Sequence, residues 1–139
     1  MPCRKHVAQL RHRREALEAL NIRVLVIAFV TDTRADEWLT TTRTPFPLLL
    51  DDGREVYVAY GLRRSLLRSY SPRTLLYYAH QLLKGEKLHL GQGDTHQLGG
   101  DFVIDKNGIL RLAYRSADPT DRPGVDDLLT LLRRLEAEA

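Results

Sequence analysis

The succession of helix-forming and strand-forming segments along these 139 residues predicts an α/β sandwich with one mixed sheet. Three observations carry that reading. An amphipathic helix runs straight into an aliphatic, β-branched stretch; a strand–turn–strand signal centres on Asp105-Lys106-Asn107-Gly108; and a leucine-rich helix closes the chain.

Taken in order, Val7, Leu10, Leu17 and Leu20 recur at helical spacing between Arg4 and Leu20, with charged residues on the remaining faces. Pro2 suits a first helical position, since its missing N–H has no partner there in any case, and Asn21 ends the helix. Residues 22–30 lack sustained polar alternation, as a strand buried on both faces of a sheet does. Thr31 to Thr33 can cap a helix over residues 34–41, after which Pro45 and Pro47 lead into a short strand, 48–50. Asp51-Asp52-Gly53 reads as a turn. Residues 55–60 read as a helix ended by Gly61, and residues 73–83 as another, entered through Ser71-Pro72 and stopped at Gly85. Residues 91–100 form a polar, glycine-rich loop. Strands at 102–104 and 109–114 then flank the Asn-Gly turn, which suits positive φ angles. A proline-punctuated loop, 118–123, precedes the closing helix 125–137, whose Leu128, Leu129, Leu131, Leu132 and Leu135 form the core-facing set.

A chain of this length suits one domain with one hydrophobic core. The 43% hydrophobic and 28% charged composition is that of an ordinary globular protein, and the longest apolar run, residues 24–30, is too short to cross a bilayer. No membrane association is expected. The N-terminus lacks the apolar stretch of a secretory signal, which points to a cytoplasmic location. Lys and Arg outnumber Asp and Glu by 21 to 18, but the basic residues are interspersed with acids, so a solvated surface is expected and no nucleic-acid partner. The single cysteine, Cys3, excludes an intramolecular disulfide framework and leaves either a buried or a reactive thiol.

Several segments carry a resemblance. Cys3-Arg4 opens a helix like the end of a Cys-x-x-Cys-Arg motif. Phe46-Pro47-Leu48-Leu49-Leu50-Asp51, with Tyr60-Gly61-Leu62, forms a second match. The most specific runs from Leu98-Gly99-Gly100-Asp101-Phe102 through Gly108, followed by Tyr114-Arg115-Ser116-Ala117-Asp118-Pro119 to Pro123. In this order they resemble the peroxiredoxin-like branch of the alkyl hydroperoxide reductase and thiol-specific antioxidant (AhpC/TSA) family, over nearly the whole chain.

That resemblance implies a thioredoxin-like three-layer sandwich with a mixed β-sheet, in which the cysteine helix follows the central strand. No residues for that strand stand before the helix, so the resemblance implies a single domain over 1–139, incomplete at its N-terminus and lacking its first, central strand. A cysteine three places before Cys3 would complete Cys-x-x-Cys. The family's peroxidase reaction also uses an arginine just before the strand assigned to Phe102; Gly99 and Gly100 stand there instead, where thioredoxin-like relatives carry a cis-proline. The Pro-x-x-x-Thr-x-x-Cys signature is absent as well. Glycines at 99 and 100 would leave the backbone open to a substrate.

The implied activity is thiol-dependent antioxidant reduction of a peroxide or disulfide substrate through Cys3, with an external thioredoxin- or glutathione-like thiol reductant and no cofactor. Relatives often form homodimers. A thiol at a helix N-terminus beside Arg4, Lys5 and His6 lies in positive potential that favours the thiolate, as nucleophilic attack requires. The bland alternative is a small buried side chain with no chemistry. Supporting roles fall to Arg4, Gly99, Gly100 and Arg115. Arg115 and Arg122 lie where they could reach the sheet edge near the cysteine helix, but the reading preferred for them is surface solvation or salt bridges to Asp118 and Asp121.

His6, His12, His80, His89 and His96 lack metal-ligand spacing. Arg64, Arg68 and Arg73, interleaved with Tyr70, Tyr77 and Tyr78, suggest the second reading, a catalytically silent binding module that uses the region from Arg64 to Lys84.

Overall fold

The computed structural model describes residues 2–62, 64, 72–85 and 97–138. In chain order the described elements are α1 (Pro2–His12), α2 (Arg14–Ala19), β1 (Val26–Ala28), α3 (Asp32–Thr42), β2 (Leu48–Leu50), α4 (Glu55–Ala59), α5 (Pro72–Leu83), β3 (Gly100–Ile104), β4 (Leu110–Arg115) and α6 (Val125–Ala137). The expected order of elements is therefore observed. The chain divides into two compact units, one formed by Cys3 with Val56–Arg122, the other by Arg4–Glu55 with Pro123–Ala139.

The second unit holds most of the apolar core. Among its described residues, Val7, Leu17, Ala35, Phe46, Val125, Leu128, Leu129 and Leu132 are buried. On α6, positions 125, 128, 129 and 132 follow helical spacing and bury one stripe, while Leu131 and Leu135 are half-buried. The helix expected over residues 4–20 is interrupted: Arg13 leaves helical geometry at φ −101°, ψ 13°, and α2 starts after it. Asn21 ends α2 in the left-handed region at φ 55°, where its short polar side chain is tolerated, and Ile22 N–H closes the turn onto the Leu17 carbonyl. The last carbonyl of α3 is satisfied from outside the helix, because Arg11 Nη1 donates to Thr42 O at 2.7 Å.

The strand expected over residues 22–30 is shorter than its composition suggests. β1 pairs in parallel with β2 through Val26↔Leu48, Ile27↔Leu49 and Ala28↔Leu50. All three β1 residues are half-buried and Leu25 is 57% exposed, which corrects the expectation of a strand enclosed on both faces. Aliphatic, β-branched composition supports extended backbone, but ladder length depends on the partner, and β2 supplies three residues.

In the first unit β3 and β4 pair antiparallel from Gly100↔Arg115 to Ile104↔Leu110, with a register shift between Val103 and Ile104. The turn contains the expected residues, but only Gly108 adopts positive φ, at 79°; Asn107 does not. The Asp105 carboxylate accepts from Ile109 N at 3.0 Å and Asn107 N at 2.9 Å, and these bonds, with Arg111 at 3.3 Å, hold its carboxyl below the usual carboxylate range. Gly100 belongs to β3 and not to the loop expected over 91–100; residues 91–96 of that loop lie outside the described residues. Thus the described strands form two two-stranded ladders, one parallel and one antiparallel, within a mixed α/β chain. A continuous mixed sheet would need pairing between them, and β1 pairs with β2 while β3 pairs with β4.

α5 is turned against its composition. Thr74 and Gln81, seven positions apart, are buried, whereas Leu75, Leu76, Leu82 and Leu83 are exposed. No described helix is long and apolar enough to cross a membrane.

Candidate functional site

The first unit holds the only cysteine of the chain. Cys3 lies in the first turn of α1, one residue after Pro2, and its thiol is exposed. Its Sγ accepts a hydrogen bond from Arg122 Nη2 at 2.9 Å. Arg122 comes from the loop after β4, and its side chain is 15% exposed. The second arm of the same guanidinium, Nη1, lies 3.5 Å from Asp101 Oδ2 in β3. Burial works against the Arg122 charge, but the Cys3 and Asp101 side chains outweigh it, so the guanidinium is held charged above its ordinary range.

The glycine pair explains how this arrangement fits. A Cβ at position 99 would lie 2.6 Å from Arg122 Nη2 and 2.9 Å from Nη1. The space left by Gly99 is thus filled by the guanidinium of Arg122, not left open to a substrate as the sequence suggests. Gly100 has a different reason: a Cβ there would lie 2.5 Å from the Tyr114 carbonyl oxygen, because strand pairing brings the backbones together. Ser116 N–H continues that pairing onto Gly99 O at 3.0 Å, and Ser116 itself is buried.

The loop carrying Arg122 is fastened locally. Tyr114 Oη donates to Asp121 Oδ1, and Ala117 N donates to Asp121 Oδ2 at 2.7 Å. Asp118, buried, accepts from Thr120 N at 2.8 Å and Thr120 Oγ1 at 2.6 Å, with Arg73 Nη1 at 4.0 Å. One Asx turn at Asp118 and the backward reach of the Asp121 carboxylate to Ala117 N therefore fix the chain directly before Arg122. From α5, the half-buried Tyr78 is raised above the usual phenol range by burial first, then by Tyr77 and by Cys3.

Other residues read from the sequence fall elsewhere. Arg115 is not at the thiol: its Nε donates to Tyr60 O at 2.7 Å and its guanidinium lies 5.7 Å from the Phe102 ring centre, next to Gly61. Arg4 follows Cys3 on α1, half-buried, with no hydrogen-bond partner for its Nε. In the region from Arg64 to Lys84, Arg64 bridges to Gln97 and Tyr77 meets Tyr78 edge-on at 5.6 Å, while Arg68 and Tyr70 lie outside the described residues. Among the described residues no three His, Cys, Asp or Glu side chains gather as a metal site requires; His89 and His96 are not among them.

Arg122 is the residue whose placement sequence reasoning misjudged, since nearby acids suggested surface pairing. One signal was available. Glycines at 99 and 100, where an arginine was expected, leave room for an arginine delivered from another segment.

A search of the curated proteins returns no match. Cys3 and Arg122 both lie outside the stretch matched by a family model. That match covers residues 9–120, most of the chain, and its description is AhpC/TSA antioxidant enzyme; the chain belongs to the AhpC/TSA family.

Proposed function

We propose that this protein is a thiol-dependent antioxidant oxidoreductase that reduces a peroxide through Cys3. The observation that carries the reading is the 2.9 Å contact between Arg122 Nη2 and Cys3 Sγ. A guanidinium beside the sulfur stabilises the thiolate, and a thiolate at an exposed helix start is positioned for attack. Membership of an antioxidant family supports the same chemistry.

In the first step the Cys3 thiolate attacks one peroxide oxygen. An S–O bond forms, the O–O bond breaks, and the departing oxygen takes a proton to leave as water or an alcohol. Cysteine is oxidised to a sulfenic acid and the peroxide is reduced. These 139 residues contain one cysteine, and the reductant proposed for it is an external thiol. A first external thiol displaces water to give a mixed disulfide, and a second releases Cys3 with formation of the reductant's disulfide. Attack by the same thiolate on a disulfide substrate breaks its S–S bond, forms a mixed disulfide with Cys3 and releases one substrate sulfur as a thiol; an external thiol then releases Cys3. Arg122 stabilises the sulfur anion in the attacking state and in each release of Cys3.

The test is peroxide consumption by the purified protein with a dithiol donor, alongside Cys3→Ser. Turnover that depends on Cys3, with a sulfenic acid trapped on it by a dimedone-type reagent, is expected. Equal rates for the two proteins, with no trapped adduct, would overturn the reading.

A further inference from the structure

We infer that Asp101 is a positioning residue that keeps Arg122 seated at Cys3 during the part of the cycle when the sulfur carries no charge. The inference deepens the proposed function and rests on it. The Arg122 side chain is 15% exposed, and its two terminal nitrogens point to different side chains: Nη2 to Cys3 Sγ at 2.9 Å and Nη1 to Asp101 Oδ2 at 3.5 Å. These partners differ chemically. A carboxylate stays ionised across the neutral range, whereas the sulfur is an anion as a thiolate and loses that charge on protonation or when capped in a mixed disulfide. A guanidinium does not shed its proton to suit its surroundings. Each time Cys3 becomes neutral, an enclosed cation needs another anion or must swing into water.

Asp101 supplies that anion from a rigid element. It lies in β3, opposite Tyr114 in the ladder, and directly follows Gly99 and Gly100, whose missing side chains leave the guanidinium its space. Asp121, which also feels the Arg122 charge, is committed to Tyr114 Oη and Ala117 N. From α5, Tyr78 is within electrostatic range of Cys3 but stays neutral near pH 7, its phenol being raised above its ordinary range. Asp101 thus acts on the sulfur through Arg122.

Two opposite outcomes separate this role from the alternative. If Asp101 were merely a negative charge near the thiolate, removing it would favour the thiolate and speed Cys3. As a positioning residue, its removal frees Arg122 and slows Cys3. The readout is the rate of Cys3 alkylation by iodoacetamide across pH 5 to 10, which reports the thiolate whether or not peroxide is a substrate. With Asp101→Asn the rate at pH 7 is expected to fall about tenfold, the scale of removing one partner of an enclosed charged group. Asp101→Glu is expected to restore most of the rate. The double variant Asp101→Asn with Arg122→Ala should be no slower than Arg122→Ala alone, as for residues acting in series. Unchanged or faster alkylation in Asp101→Asn, or additive losses in the double variant, would overturn the inference. Loss of peroxide turnover with this alkylation pattern intact would instead count against the proposed reaction and leave the role of Asp101 standing.

Discussion

Arg122 reaches Cys3 across 119 positions of sequence and donates to its sulfur at 2.9 Å from an almost enclosed guanidinium. Its arm is set by the Asx turn at Asp118 and the Asp121 carboxylate bonded back to Ala117 N, and its space by Gly99.

Replacing this arginine tests the contact directly. Arg122→Ala is expected to lower the second-order rate of Cys3 with hydrogen peroxide at pH 7 by at least about tenfold. Arg122→Lys should recover only part of the rate, since an ammonium cannot reach Cys3 and Asp101 with separate planar arms. Stopped-flow mixing measures both. A rate unaltered in Arg122→Ala would show that the contact is without chemical effect.

The two adjacent glycines should respond differently. An alanine Cβ at 99 displaces the end of a flexible side chain, so Gly99→Ala is expected to slow Cys3 alkylation while lowering stability by no more than about 1 kcal/mol. An alanine Cβ at 100 meets the Tyr114 carbonyl, and relief requires backbone movement. Gly100→Ala should therefore lose about 2 kcal/mol or more. Urea unfolding, paired with alkylation rates, separates the two effects.

The Tyr114–Asp121 bond carries a pH signature. Burial works to raise the Asp121 carboxyl, but the Ala117 N–H and the Tyr114 hydroxyl outweigh it and hold it below the usual range. The same bond, followed by burial, raises the Tyr114 phenol. A depressed carboxyl contributes stability above its unfolded pKa of about 3.9 that is lost as pH falls through the folded value. A raised phenol contributes below its unfolded pKa of about 10 and loses the contribution as pH rises through the folded value. Tyr114→Phe should thus be less stable by about 1 kcal/mol at pH 7, with the difference shrinking below about pH 3 and above about pH 10. Urea midpoints at these pH values check it, and a difference constant with pH would contradict the assignment.

Core and surface leucines should part clearly. Leu129 is 3% exposed on α6, and Leu129→Ala is expected to cost about 3 kcal/mol. Leu83, 87% exposed on α5, should tolerate alanine within about 0.5 kcal/mol. Comparable losses for the two would mean that α5 is covered in solution.

The sequence by itself determined the elements whose signals are local. The leucine spacing of α6 sets its buried stripe; the Asp105–Gly108 segment makes the hairpin turn; Asn21 and Gly61 end helices because they accept positive φ. It also singled out Cys3 as the one thiol among these 139 residues. Tertiary structure decided what depends on distant partners. β1 extends only as far as β2 can pair with it, whatever the length of its aliphatic run. Arg115 and Arg122, seven residues apart with similar acidic neighbours, go to different places: one to the Tyr60 carbonyl, the other to the Cys3 sulfur. Nothing local distinguishes them, because the deciding features are a vacant Cβ position at Gly99 and an anion at Asp101, brought to Arg122 by the pairing of β3 with β4.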